Sequence, residues 1–594
     1  MAARTGVEQR TPTRREMLVH RAKVRAHQAV RALREGLDPL RARPGTATEA
    51  LCGAPLLAEV RSALWRDEDP REWILQAGKV ENLRVARRAF DGVELAPGQV
   101  FSFWAHLGRP TKARGFVAGR ELREGCVVPA VAGGICQLSN ALYAAAVDAG
   151  LRILERHPHS RVLPGSAAEV DRDATVLWNY VDLRFVAGHA LRIEVAMTGD
   201  ELVVRLRGPR SSSPVALVEA PSRLTVLERS DAPSCLSCDK VDCERAVPAP
   251  ARSGQRAFLV DAVWPEFDAY VRRSASPNDH LFLPLDGARW GRSRYAWCSD
   301  AFADEHVHSW PRQTLRRALI SRRLSKQGAE RQHALLRLDA ELADAMARRL
   351  RPDMTQLVVT QSLLPHLWSA GHLAGRRFSV LANRLPLGSL QARLDAAARL
   401  HRESSTAADF RAAPSLVRAE REALDAAERI VTPHAAIAAE HGARTELLPW
   451  CSPPVAPAPQ SEPARPRVLF PASTVARKGC YELREALAGL DVELVTAGPV
   501  LEGDDFWAGQ VRGSEGPVDL VVLPAWVEHA PRRLLAAAAS GLPVVASTAC
   551  GLHGVGGVGE VAPGDVAALR TAIVQALAER ARPLVQQNNR VSID

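Results

Sequence analysis

A glycine pair, a cysteine and a helix start lie together at Gly133-Gly134-Ile135-Cys136-Gln137-Leu138-Ser139-Asn140. Glycine lets the backbone turn sharply, and the alanine-rich run Leu138 to Ala149 has good helix propensity. Cys136 is therefore expected at or near the first turn of a helix. There, unpaired N–H groups and the helix dipole favour the reactive thiolate. His157 and His159 follow on an extended segment, and Asp171, Asp173 and Asp182 come after them. Cys136, His159 and Asp173 are the candidate catalytic set, with His157 and Asp182 as alternates for base and acid. Such a set performs acyl transfer or amide hydrolysis, the histidine acting as general base. Two other readings stay open: a binding site without covalent chemistry, and a small buried cysteine beside histidines satisfied by backbone groups.

A second cluster, Cys235-Leu236-Ser237-Cys238-Asp239-Lys240-Val241-Asp242-Cys243, brings three thiols into one loop. Cys235, Cys238 and Cys243 are candidate metal ligands, for zinc ahead of an iron–sulfur cluster. Tetrahedral zinc needs a fourth ligand and no histidine is near. A plain turn or a redox-labile dithiol is the competing reading.

The elements that must position these groups need more than one core, since 594 residues predict roughly three to five domains. An apolar fraction of 46% with 24% charged residues is ordinary for globular proteins. No apolar run approaches the ~18 residues that span a bilayer. Met17-Leu18-Val19 is interrupted by His20 and Arg21 too soon for a secretory signal. Ten scattered cysteines make no disulfide framework and fit a reducing compartment. The expected location is cytoplasmic, with peripheral membrane contact as its extension. Of the net charge of +10, residues 1–45 hold an excess of seven, eleven Lys/Arg against four acids. Arg14 to Arg34 is expected to form a basic helix, either touching anionic lipid or simply solvated. No aromatic stripe accompanies these arginines, so there is no strong nucleic-acid signal.

Pro/Gly/Ser clusters at Arg43-Pro44-Gly45, Gly208 to Pro214, Val247 to Gly254 and Ser452 to Pro466 mark the breaks. They divide the chain into a basic arm (1–45), an α+β domain (46–208), a linker carrying the three-cysteine loop (209–254), and two α/β domains (255–430 and 431–594). Leu191 to Met197 and Glu201 to Leu206 alternate like a hairpin around Gly199-Asp200. After Gln255, short apolar strands alternate with helical stretches, from Ala257 to Val260 through Leu357 to Thr360, Phe378 to Ala382, Arg429 to Thr432, Arg467 to Phe470, Asp491 to Thr496 and Asp519 to Leu523 to Pro543 to Ser547. Alternation of this kind builds doubly wound, Rossmann-like parallel sheets, with ligands at the carboxyl ends of the strands.

Two family resemblances overlie these readings. Asn82-Leu83, Asp91-Gly92, Phe101-Ser102-Phe103-Trp104, Gly108-Arg109-Pro110-Thr111, the Gly133 to Asn140 stretch, Glu155-Arg156-His157-Pro158-His159-Ser160, Asp173-Ala174-Thr175 and Asn179-Tyr180-Val181-Asp182-Leu183 form an ordered series that resembles the VanW family. Ala132 stands where many members carry a third glycine. The family is named after an accessory protein of vancomycin B-type resistance, so the resemblance implies a cell-envelope association and names no reaction. The order of cysteine, histidine and acid also looks like that of papain- and transglutaminase-like cores, with peptidoglycan peptides as the substrate an envelope link implies.

From Ile430 to Leu577, Val431-Thr432-Pro433-His434, Leu448-Pro449-Trp450, Lys478-Gly479, Pro524 to Glu528 and Leu534 to Ser547 resemble the C-terminal half of GT-B, family-four glycosyltransferases, which are retaining enzymes. The resemblance implies a nucleotide sugar as donor and an envelope-related acceptor. Arg477, Lys478 and Gly479 would meet the donor pyrophosphate, and Glu528 would take the first position of the E-x7-E motif near the sugar. Ala536 replaces the second glutamate, which removes roughly 1.5–3 kcal/mol of charge-assisted contact. A binding or scaffold protein with a degenerate transferase region is therefore the alternative. His366 and His372 are candidates for a histidine near the reacting sugar.

Overall fold

The computed structural model describes residues 13–37, 45–65, 72–123, 126–159, 161–162, 172–209, 225–226, 235–236, 254–324, 328–407, 411–454, 465–513 and 516–580. The chain forms two compact units. The first comprises the residues up to Arg256 together with Leu350–Leu357 and Gly371–Arg377, and the second comprises the rest.

In the first unit a five-stranded antiparallel sheet has the order Thr46–Ala47, Val93–Leu95, Leu191–Met197, Glu201–Arg207, Leu56–Ala63. Leu191–Met197 alternates buried and half-buried residues along its length, as a strand with one covered face must. It pairs with Glu201–Arg207 around the expected Gly199-Asp200 turn, Val195 opposite Val204. The helices Trp73–Arg87 and Cys136–Asp148 contribute Val80, Leu83, Leu138 and Leu142 to the core that this sheet covers. A smaller sheet, Val100–Ser102, Arg184–Val186 and Arg152–Glu155, stacks Phe101 on Phe185 at 4.3 Å between ring centroids. The residues Ala174 to Asn179 form an extended segment and a turn rather than a strand: Leu177 bridges only to Val181, so the chain doubles back at once.

The basic stretch is a helix, Arg14–Leu37, and its last turns rest on this unit. Gln28 donates to the Trp178 carbonyl (2.5 Å), His27 stacks on Tyr180 (5.7 Å), and Arg31 pairs with Glu155 (2.9 Å) and Asp182 (3.5 Å).

Two further sheets follow, most of whose residues belong to the second unit. One runs Val307–Ser309, His280–Leu283, Gln255–Leu259, Met354–Thr360, Arg377–Leu381, Arg429–Thr432, Thr445–Leu447. The other is parallel throughout and runs Glu493–Thr496, Arg467–Phe470, Leu520–Leu523, Val544–Ser547, Val558–Val561. Strands such as Leu520–Leu523 and Val544–Ser547 are buried at every residue, as parallel strands covered by helices on both faces require. Arg429–Thr432 and Thr445–Leu447 pair with each other in the first sheet. The break between the two sheets therefore falls in the proline-rich stretch after Trp450 rather than at 430/431.

Candidate functional site

The turn before Cys136 is built by close backbone approach. A Cβ on Gly133 would sit 2.4 Å from the Gly119 carbonyl oxygen, and one on Gly119 would sit 2.3 Å from that of Gly133. Buried Asn82 ties the ends of the antiparallel strands Ala118–Arg123 and Cys126–Val131, donating to the carbonyls of Val117 (3.1 Å) and Gly133 (3.0 Å) and accepting from the Val117 N–H (2.9 Å). Gly134 has φ +91° with Lys79 packed against it, and Ala132, at φ +63°, adopts the left-handed region without glycine's freedom. The helix Cys136–Asp148 starts directly after this turn.

Each side chain of the first helical turn then has a task. Gln137 donates to Ser62 Oγ (3.0 Å) and the Ala63 carbonyl (2.8 Å), fixing the helix on the large sheet. Ser139 donates to the Ala174 carbonyl (2.5 Å), and Asn140 accepts from the Ala174 N–H (2.8 Å). The Thr175 N–H donates to the His157 carbonyl (2.7 Å). The helix start, the histidine segment and the aspartate segment are thereby laced together.

Cys136, His159 and Asp173 converge in this lacing. Asp173 is fully buried and receives both the His159 backbone N–H (2.8 Å) and His159 Nδ1 (2.5 Å) on Oδ2. Arg156 braces the same aspartate, its Nε donating to the Asp173 carbonyl (2.8 Å) and its Nη2 lying 3.4 Å from Oδ1. With Nδ1 engaged, Nε2 is the ring nitrogen left to the thiol, whose Sγ lies 3.8 Å from Thr175 Oγ1 and from the Val176 carbonyl oxygen. Burial raises the thiol's pKa, but the His159 hydrogen bond and charge, with the Val176 backbone and Thr175 hydroxyl, bring it below the ordinary thiol value. Burial opposes the imidazolium too, yet the bonds to Asp173 and Cys136 raise His159 to about 10. Both shifts run toward a thiolate–imidazolium pair, and His159 is 28% exposed while Cys136 is half-buried. The Cys136 backbone N–H has no hydrogen-bond partner among the described residues, so a donor lies free beside the sulfur at the helix start.

His157 turns away to Glu155 (3.2 Å). Asp182, the alternate acid, also lies elsewhere: it accepts from Ser102 Oγ (2.6 Å), the Trp104 N–H (3.2 Å) and the Leu183 N–H (2.9 Å). Burial raises it to about 6 against those hydrogen bonds. It holds the short helix Phe103–Leu107 in place. Thr175, Val176, Arg156 and Asn140 complete the site; of these, sequence marked only the motif context, because their roles depend on contacts 17 to 40 residues apart.

The Cys235 N–H donates to the Val127 carbonyl (2.9 Å), and Leu236 packs with Leu75 and Val127. Cys238 and Cys243 lie outside the described residues. Among the described residues no group of three His, Cys, Asp or Glu side chains could hold a metal.

In the second unit, Gly479 (φ +76°) lies so close to Pro524 that a Cβ would meet its carbonyl oxygen at 2.1 Å. The Arg477 carbonyl accepts from the N–H groups of Trp526 (3.0 Å) and Val527 (3.2 Å). This contact carries Lys478 to Glu528: Nζ reaches Oε2 at 2.8 Å and the Val527 carbonyl at 3.1 Å. Burial opposes the Glu528 charge, but Lys478 and the Ala530 N–H hold it below the usual carboxylate range. His434, fully buried, braces the loop through Nε2 to the Glu528 carbonyl (2.9 Å). His529 has a buried Nε2 with no hydrogen-bond partner among the described residues, and burial, with the charges of His434, Lys478, Arg384 and Arg477, holds its ring neutral. Ala536 is half-buried on the helix Arg532–Ala539. Of the two candidate histidines, His366 lies in this unit, where burial and Arg384 lower it to about 4. His372 belongs to the first unit, 3.5 Å from Arg88, because Gly371–Arg377 is part of that core.

The family described as "VanW like protein" matches residues 78–207. The chain is 36% identical over 104 residues to the uncharacterized protein YoaR of Bacillus subtilis, covering 18% of this chain and 34% of that one. It is 30% identical over 132 residues to the vancomycin B-type resistance protein VanW of Enterococcus faecalis, covering 22% and 48%. The chain thus spans between about a third and a half of the length of these relatives. Among solved structures it is similar to the lipopolysaccharide outer core galactosyltransferase WaaB (14% identity, 55% of this chain and 91% of that one, TM-score 0.33). It is also similar to a sucrose-phosphate synthase of Thermosynechococcus elongatus (15% identity, 56% and 91%, TM-score 0.35). Residues 78–207 of this chain are a VanW-like domain, and they hold the Cys136 site.

Proposed function

We propose that the chain is a cell-envelope transferase whose VanW-like domain forms or breaks amide bonds through Cys136. The observation that carries this reading is the contact chain from Cys136 through His159 to Asp173. The thiolate adds to the carbonyl carbon of a peptide amide, and the Cys136 N–H stabilises the developing oxyanion. The C–N bond breaks as the His159 imidazolium gives its proton to the leaving amine, which leaves a thioester on Cys136. An incoming amine, or water, then yields its proton to His159 and releases the acyl group. Soluble muropeptides are the substrates to try. Intact-mass spectrometry should show an acyl adduct on the wild type and none on Cys136→Ala. A wild type that forms no adduct and changes no muropeptide would sink the reading.

A second activity is supported by the Lys478–Glu528 pair in the second unit. We propose that this unit is a GT-B, retaining glycosyltransferase that binds a nucleotide sugar, Arg477 and Lys478 facing the pyrophosphate and Glu528 the sugar hydroxyls. An envelope-related acceptor links it to the VanW-like domain. Calorimetry with UDP- and GDP-sugars tests it: heat of binding is expected for one of them, reduced at least tenfold by Lys478→Ala. Absence of binding at millimolar donor would favour the scaffold reading.

A further inference from the structure

The helix Pro311–Arg323 has five arginines and no acid, and buries no residue fully. At about 100° per residue, Leu315, Leu319, Arg312, Arg316, Arg322 and Arg323 fall within an arc of about 120°. All six are exposed, Leu315 at 62% and Leu319 at 48%. The opposite side is anchored: Thr314 Oγ1 donates to the Pro284 carbonyl (2.6 Å), and Arg317 pairs with Asp261 (3.6 Å) and Asp339. The outer arc is therefore held outward by the inner contacts.

A second apolar group stands at the same end of the sheet. His280–Leu283 and Val307–Ser309 are parallel neighbours, and each leads from its carboxyl end into a helix, Gly287–Trp290 and Pro311–Arg323. Pro284 ties the two together, since it also accepts the Trp310 N–H (3.1 Å). Trp290 is 65% exposed, beside the exposed Arg289 and Arg292. The nearby acids are neutralised: Glu341 by Arg316 (2.7 Å) and Asp344 by Arg348.

We infer that this face docks on an anionic lipid bilayer. Leu315, Leu319 and Trp290 enter the headgroup–acyl boundary, and Arg312, Arg322 and Arg323 meet lipid phosphates. A tryptophan and leucines among arginines on one helical face are what interfacial binding requires, and neither group alone is enough for it. Charge complementarity selects the occupant, because a surface this basic repels a second copy of itself. No helix among the described residues is long and apolar enough to cross a membrane, so the contact is peripheral. The inference stands apart from sugar transfer, since docking needs no turnover.

The test is co-sedimentation of the full chain with vesicles of phosphatidylcholine and phosphatidylglycerol, and with phosphatidylcholine alone. The wild type should pellet with the mixed vesicles only, less so as salt rises. Trp290→Ser/Leu315→Ser/Leu319→Ser should lower the bound fraction about tenfold with an unchanged thermal melt, the residues being exposed. Arg312→Gln/Arg322→Gln/Arg323→Gln should weaken binding and flatten its salt dependence. Arg21→Gln/Lys23→Gln/Arg25→Gln, in the N-terminal helix, should bind as the wild type does. A wild type that stays in the supernatant overturns the inference, and so does a Trp/Leu variant that pellets fully. So would loss of binding in the N-terminal variant alone, or duplex DNA held through the same arginines more tightly than the vesicles.

Discussion

At the scale of single residues, the thiolate–imidazolium pair makes two measurable statements. Cys136 should react with iodoacetamide at lower pH than an ordinary thiol does, because His159 lowers its pKa. Asp173→Asn should shift that profile upward and reduce any acyl-transfer rate by about a thousandfold or more, since the ring loses its orientation and its counter-charge. The pair also sets a pH dependence of stability. His159, raised from 6.5 to about 10, contributes fully below 6.5 and loses its contribution as pH rises through about 10. The thiol, lowered from 9.0, contributes above 9.0 and loses its contribution as pH falls. Between 6.5 and 9.0 the two groups act in opposite senses, the thiol's contribution rising with pH while that of the imidazole falls. From pH 9 to about 10 the folded chain holds one more proton, and stability should fall. The fall in melting temperature over that interval should be smaller in His159→Gln; an equal fall in both proteins would refute the assignment.

At the scale of elements, an ion pair with no signal in the sequence ties together the parts of the second unit built on its two sheets. Glu266, wholly buried near the start of the helix Pro265–Ser274, takes both guanidinium nitrogens of Arg532 at 2.6 Å. Arg532 lies over Trp264 (5.1 Å) and Trp450 (5.5 Å), and Glu266 also accepts the Cys451 N–H (2.8 Å). Arg532→Ala leaves that carboxylate buried with one donor. Discounting for the arginine's partial exposure, the loss should be about 2–3 kcal/mol in urea unfolding, and Glu266→Gln/Arg532→Met should lose less. A single-variant loss below the double would contradict the pairing. On the helix that Arg532 begins, Ala536→Glu should tighten a nucleotide-sugar donor by about ten- to a hundredfold in calorimetry. Most core strands of this unit were legible in sequence as short apolar runs, Arg429–Thr432 and Arg467–Phe470 residue for residue. His280–Leu283, buried at every residue, was not, since it is four residues long and begins with a histidine. The edge strands Val307–Ser309 and Val558–Val561 were not, being half-exposed with no alternation to read. In the site, Cys136, His159 and Asp173 were legible as a motif. Arg156's brace, His529's charged surroundings and the packing of the N-terminal helix on Trp178 were not, since each depends on distant segments meeting.

At the scale of the whole molecule, the first unit is completed by chain that arrives late. Leu350–Leu357 and Gly371–Arg377 belong to it, and they carry half of a buried charge cluster. Arg376, 3% exposed, donates to the carbonyls of Met354 (2.8 Å), His372 (2.6 Å) and Arg351 (3.2 Å), with Nη2 3.4 Å from Glu81. Arg84, 2% exposed, donates to the Ala374 carbonyl (2.5 Å) and pairs with Glu81. Burial and the neighbouring Arg84 lower Arg376 to about 9, while Glu81 opposes that fall. Removing one member of such a cluster costs about 3–5 kcal/mol, because the remaining charges stay buried with too few partners. A fragment ending at residue 256 removes Arg376 and the Ala374 carbonyl together, and takes Ala374 from the core. That fragment should unfold without a cooperative transition and be cleaved by dilute protease at least a hundredfold faster than the same region of the full chain. The single change Arg376→Met, in the full chain, should lower the urea midpoint while leaving the fold intact. If the fragment instead melts cooperatively at the temperature of the full chain, the VanW-like domain is self-sufficient and the cluster does not hold it together.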